Sequence, residues 1–375
     1  MKLLAFFLAF TMVAAACGDD DTAASGDLPT VVVTTNILGD VVTQLTGGAV
    51  DVVTIMPVGA DPHDFQASAQ QADQMRTAEV LIVNGASFEE GLLDVIDGAE
   101  ADGVAVYEAI SAVSTIEFGE GGHDDHGHDD HGDEEHKDEE GHDDHDHEGE
   151  EGHDDHEGEE GHDDHEGEEG HDDHEGEEGH DDHDDHGHDD HGHDHSGEDP
   201  HFFTDPARMA AAVDGIADFL IANVEGIDAD AVSSAAEAYH DELEALDAEI
   251  QGMVDGIPAE NRVLITNHQV FGYYADNYGF EVAGAIIPSG STLDGTSAGQ
   301  LAELAELITA EGVPAIFSDV SASDELAQTL AAEVGGDIAV VELFTESLGE
   351  DGSGGATYID MVRTNTERIA SALAS

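Results

Sequence analysis

Basic side chains are scarce: 7 Lys+Arg stand against 90 Asp+Glu in 375 residues, for a formal net charge of -83. So acidic a chain repels phosphate backbones, which excludes nucleic acid as a partner and makes cations the natural ligands. Acidic residues are not confined to one tail, as suits a surface facing a saline medium. Cysteine is nearly absent as well. Cys17 is the only one, so no internal disulfide can form. A hydrophobic run of spanning length is also missing. Met1–Ala16 has a positive start at Lys2, the apolar stretch LLAFFLAFTMV and the small residues Ala14-Ala15-Ala16. Its apolar run of about 14 residues falls short of the roughly 20 that a membrane helix needs. The segment reads as an export signal, which puts the mature protein outside the cytoplasm. No HExxH helix and no nucleophile with its base stand near the candidate ligands below, so the chain is expected not to be an enzyme.

Cys17 follows three small residues, a pattern that resembles the lipobox of bacterial lipoproteins, in which that cysteine is acylated and becomes the new N-terminus. The expected layout is a signal peptide over 1–16 and a lipid-anchored linker over 17–29. Beyond them, VVVTTNIL (31–38), VDVVTIM (50–56), EVLIVNG (79–85) and VAVYEA (104–109) are β-rich runs alternating with helical segments. This predicts parallel strands with crossover helices in an N-terminal α/β lobe over 30–118, completed by 200–227. Ser68 and Gln71 form a capping box ahead of Met75, and Asp205-Pro206 starts a helix with Met209, Val213, Ile216 and Leu220 as its buried stripe. From Ala229 to Asp255, Val232, Ala236, Tyr239, Leu243, Leu246, Ile250 and Met253 recur at steps of three and four. They predict one amphipathic helix of about 40 Å, within a linking segment over 228–257. RVLIT (262–266), EVAGAII (281–287), VPAIFS (313–318) and DIAVVELF (337–344) then repeat the alternation over 258–375 as a C-terminal α/β lobe. The fold class is α/β: two lobes, each a parallel sheet flanked by helices, bridged by one long helix.

Residues 119–199 contain 21 of the 25 histidines and almost no apolar residue, with GHDDHEGEE repeated at 152, 161 and 170. Such a segment cannot build a core and reads as a disordered insertion. Imidazoles beside carboxylates suit zinc, copper or nickel, and the expected binding is multiple and loose because each site must be assembled from disorder. The flexible tract would reach roughly 50 Å, enough to sweep a nearby pocket. HGHDDH at 126 and 186 mimics a hydrolase motif, but in a tract of so few residue types such strings arise by chance.

Outside the tract stand His63, His201, His240 and His268. His63 in MPVGADPHDF and His268 in ITNHQVFGYY each follow a strand, and His201 in EDPHFFTDP precedes a helix start. Loops at the carboxyl ends of parallel strands line the crevice where ligands bind in open α/β sheets. Two of these histidines follow Asp-Pro, which stiffens the chain beside the imidazole. His240 sits beside the apolar stripe of the long helix and reads as an exposed helix residue.

GADPHDFQAS, DPHFFTDP and NHQVFGYYADNYG, in that order and at these junctions, resemble the three ligand loops of the zinc and manganese receptors of bacterial ABC importers, the cluster A-I binding proteins. The resemblance covers nearly all of 30–375, and a His-rich insertion ahead of the second ligand loop is recurrent among its zinc-specific members. It implies an extracytoplasmic, lipid-anchored and monomeric receptor that captures Zn2+ between its lobes and delivers it to a permease and its ATPase. The implied metal ligands are His63, His201, His268 and, after the last strand, Glu346 in LFTESLGEDG. The family usually has aspartate there; Asp319 in IFSDVS is the substitute, with Glu346 favoured. Three imidazoles and one carboxylate make an N/O set suited to tetrahedral zinc. Manganese prefers more oxygen and its receptors often carry Glu where His268 stands, so Zn2+ is the expected cargo, with Mn2+ or iron as the alternative. A metal-buffering adhesin lipoprotein is a further alternative. Affinity should fall through about pH 6.5 and below as the imidazoles protonate.

Overall fold

The computed structural model describes residues 28–118, 197–335 and 338–374. The export segment, Cys17, most of the linker and tract residues 119–196 lie outside the described residues, and so do the expectations made for them. The first half runs β1 (Thr30–Val33), α1 (Asn36–Thr46), β2 (Asp51–Thr54), α2 (Ala69–Arg76), β3 (Val80–Val83), α3 (Leu93–Ala101) and β4 (Ala105–Glu108). After the tract come α4 (Pro206–Asn223) and α5 (Ala229–Val254). The second half runs β5 (Val263–Thr266), α6 (Gly272–Tyr278), β6 (Glu281–Ala285), α7 (Ala298–Glu311), β7 (Ala315–Asp319), α8 (Glu325–Val334), β8 (Ala339–Leu343) and α9 (Tyr358–Leu373).

Each half holds a parallel four-stranded sheet, ordered β2-β1-β3-β4 in the first and β6-β5-β7-β8 in the second. The two orders are the same with every number raised by four. In each, the connections diverge beside the first strand, and loops leaving the carboxyl ends open a crevice there. The inner strands are buried on both faces, as helix-covered parallel strands must be. Val31 and Val33 pack into the main core, and Val32, pointing the other way, packs with Leu81 and Met75 beneath α2. Leu264 and Ile265 divide in the same manner between the main core and one against α7 and α8.

Local chemistry sets the helix ends. Ser68 and Gln71 form the capping box of α2, and Asp205 caps α4 with Pro206 in its first turn. Met209, Val213, Ile216 and Leu220 are buried. In α5 the buried stripe is Val232, Ala236, Tyr239, Leu243, Leu246, Ile250 and Val254. Met253 was expected at its end, but at 3.6 residues per turn the seventh position falls nearer 254, and Met253 is left half-buried. The folded lobe also reaches further into the tract than its composition suggests. Glu117 and Glu198 pair as an antiparallel bridge, the Phe118 amide donates to the Gly197 carbonyl at 3.3 Å, and Asp199 is buried.

Candidate metal centre

Asp61-Pro62-His63 and Asp199-Pro200-His201 share one local build. In each, the aspartate Oδ1 accepts the histidine backbone amide at 2.9 Å, and the intervening proline fixes the turn. The imidazole therefore leaves from a preset backbone. On the second lobe, His268 follows β5 by two residues, and the Thr266 hydroxyl donates back to the His268 carbonyl at 2.7 Å. Glu346 follows β8 by three. Its neighbour Ser347 accepts at Oγ from the Gly59 amide (2.7 Å) and from Asn36 Nδ2 (2.9 Å), while Asn36 Oδ1 accepts the Leu348 amide at 2.7 Å. The Glu346 loop is thus tied to the loop that carries His63 and to the start of α1.

These four side chains converge. The Nε2 atoms of His63, His268 and His201 lie 2.8, 3.1 and 3.3 Å from the same oxygen, Glu346 Oε1. Ligand atoms of all four fall within 4.8 Å of one another, and every one of the residues is buried. The ring centroids form a near-regular triangle with sides of 6.0, 5.9 and 5.5 Å. Two residues come from each lobe. A tetrahedral ion with bonds of 2.0 to 2.2 Å separates its ligand atoms by about 3.4 Å, so the cluster is already near that spacing.

Carboxylates behind the rings orient two of them. Glu90 Oε1 meets His63 Nδ1 at 2.9 Å and Asp199 Oδ1 meets His201 Nδ1 at 2.7 Å, which leaves each Nε2 to face the centre. Gly272, at the start of α6, makes room for Asp199: a Cβ there would stand 2.5 Å from Asp199 Oδ2. Phe88 packs edge-on against His63 and His201 at 5.4 and 5.6 Å. Its loop passes through positive φ at Gly85, Ala86 and Ser87. Buried Glu89 holds that loop, accepting from the Thr34 hydroxyl and the Asn84 amide at 2.6 Å each.

On the two first-lobe rings burial opposes charge, but the carboxylates win. His63 is lifted to about 10 by Glu346, Glu90 and Asp61, and His201 is raised by Asp199 and Glu346. Burial would raise Glu346, yet His268 and His63 hold it well below the usual carboxylate range. Glu346 Oε2, on the carboxylate that the three rings share, is buried without a hydrogen-bond partner, and a cation held by the four residues relieves it. The donor set therefore fits a divalent metal.

Of the residues singled out in the sequence, His63, His201, His268 and Glu346 meet, while Asp319 stays outside the cluster at the end of β7. His240 is elsewhere, half-buried on α5, with Nδ1 3.1 Å from Asp214 of α4. Sequence reasoning did not single out Glu90, Asp199 or Phe88. Asp199 carried a signal, since it stands two residues before a histidine as Asp61 does; Glu90 carried none, because its partner is 27 residues away.

Residues 31–372 match the family model described as the zinc-uptake complex component A, periplasmic. The chain belongs to this family. Its members are metal-binding receptors of ABC importers, which carry substrate rather than transform it. The manganese-binding lipoprotein MntA of Halalkalibacterium halodurans is 24% identical, over 100% of this chain and 99% of that one. The zinc-binding protein TroA of Treponema pallidum is 25% identical, over 96% and 93%. The solved structure of the periplasmic zinc-binding TroA superposes with a TM-score of 0.68 at 23% identity, covering 93% of this chain and 100% of that one, a likeness of fold. Among the described residues no helix is long and apolar enough to cross a membrane.

Proposed function

We propose that this family member is a zinc receptor, held outside the cytoplasm by a lipid on Cys17, that binds one Zn2+ through His63, His201, His268 and Glu346 and delivers it to an importer's permease. The observation that carries the reading is the convergence of three imidazole Nε2 atoms on one buried carboxylate oxygen at 2.8 to 3.3 Å. Three nitrogens and one oxygen suit zinc, whereas manganese favours oxygen-rich sets. Each lobe supplies two ligands, so the ion itself joins the lobes. With α5 packed on α1, α4 and α9, release proceeds by small tilts and loop movements rather than by wide hinge opening. The permease then senses metal through the crevice-side loops of both lobes.

Manganese is the second reading, favoured by the relatives named for that metal. Competition titration with zinc and manganese separates the two. The proposed function expects one tight site per chain that prefers zinc and is lost in His268→Ala. A preference for manganese would shift the assignment to the second reading, and a site untouched by His268→Ala would end both.

A further inference from the structure

Asp319 is a buried carboxylate that the four-ligand cluster does not use. It is 2% exposed, and its Oδ1 accepts the Ser321 amide at 2.7 Å, closing a turn at the end of β7. Its Oδ2 has no hydrogen-bond partner. The sheet order places β7 between β5, which leads to His268, and β8, which leads to Glu346. Thr266 of β5 pairs with Phe317, and His268 and Asp319 each come two residues after that pair. On the other side Asp319 pairs with Leu343 of β8, three residues before Glu346. Other buried side-chain atoms without a hydrogen-bond partner include His268 Nδ1 and Glu346 Oε2, of the cluster, and the hydroxyls of Ser318, Ser321 and Thr345. Burial and the charge on Glu346 raise Asp319, and the Thr345 hydroxyl, the Ser321 amide and His268 oppose them without prevailing.

Such a carboxylate is costly to keep unless a cation or its hydration shell engages it. The Ser321 amide and the neighbouring Thr345 hydroxyl favour its charged form, yet an asparagine would make the same turn without burying a charge. We propose that Asp319 is a specificity-determining residue: a reserve oxygen donor beside the cluster that engages ions demanding more than four ligands, so that the site takes manganese as well as zinc. The inference rests on the His63, His201, His268 and Glu346 site proposed above. Tetrahedral zinc is satisfied by those four residues and leaves Asp319 in the outer layer. Manganese, which favours carboxylate and water oxygens, gains a fifth donor from Asp319 directly or through its bound water.

Asp319→Asn tests this, because it keeps the Oδ1 acceptor of the turn and removes the charge. Zinc and manganese affinities are measured by competition for wild type, Asp319→Asn and His268→Ala, and the manganese K-edge spectrum of the wild type counts its light-atom neighbours. The expected result is a manganese affinity lowered by about tenfold or more in Asp319→Asn, with zinc changed by less than about threefold, and at least five nitrogen or oxygen neighbours around manganese in the wild type. An unchanged manganese-to-zinc ratio, or equal losses for both metals, would overturn the role of Asp319. So would four-coordinate manganese in the wild type, whatever the folding of the variant. His268→Ala keeps the two failures apart: if it leaves the tight site intact, the four-ligand reading itself has failed.

Discussion

At the scale of single residues, the two first-lobe histidines are braced by carboxylates at Nδ1, whereas His268 Nδ1 has no partner. Glu90→Gln and Asp199→Asn should therefore lower zinc affinity by about 10- to 100-fold each while leaving the stoichiometry at one tight site, as isothermal titration would show. Protons are part of the same equilibrium. His63 in the metal-free protein holds its proton up to about 10. Zinc at pH 7.5 must displace that proton, so binding should release about one proton or more, where an ordinary imidazole would release about a tenth. Zinc affinity is then expected to climb from acid pH through neutrality toward pH 10, a window higher than the 6.5 suggested by an unperturbed histidine. Calorimetry in buffers of differing ionisation enthalpy reads the proton count directly. The sign for folding is opposite: the raised His63 stabilises the metal-free fold fully below its unfolded value of 6.5, and this is lost as pH rises through about 10. Glu346, being depressed, contributes above the ordinary carboxylate value and loses its contribution as pH falls through its lowered one.

At the scale of elements, α5 carries the main core between the lobes, and Leu243 sits fully buried in its middle. Leu243→Ala should destabilise the metal-free protein by about 2 to 5 kcal/mol, seen as a lowered midpoint in urea. Excess zinc should offset part of that loss, because metal binds only the folded site. Elements with strong periodicity were legible in the sequence: every expected strand run overlaps an observed strand, with β1 starting one residue before its run and β7 ending one residue after, and the Ser68 and Asp205 caps stand where their motifs put them. The second capping box, Ser297 with Gln300, escaped notice although it has the same spelling. The loop from Gly85 to Glu90 was hidden for a physical reason. Its left-handed residues include Ala86 and Ser87, which do not advertise that conformation as glycine does, and it is held by Glu89 contacts that only the fold creates. The four-residue cluster became legible through family resemblance and strand-end position together. Its carboxylate was read from its place after the last strand, and distances alone bring Glu346 into the cluster ahead of Asp319.

At the scale of the whole molecule, Glu117 and Glu198 bridge one another, so the folded chain re-enters beside the point at which the tract leaves it. Deleting 120–196 and joining the ends with a short turn should keep the tight zinc site while abolishing several weak ones, as equilibrium dialysis at rising zinc would count. Loss of the tight site would make the tract part of it. Anchoring is a separate property: a full-length Cys17→Ser chain should leave the membrane fraction and fail to incorporate labelled fatty acid, with zinc affinity unchanged. The account turns on one ion meeting four side chains drawn from both halves of the sequence. Diffraction from zinc-loaded crystals, recorded on both sides of the zinc edge, addresses that most directly. One anomalous peak about 2.0 to 2.2 Å from Nε2 of His63, His201 and His268 and from an oxygen of Glu346 is the predicted result. A peak elsewhere, with no ion among those four side chains, would contradict it.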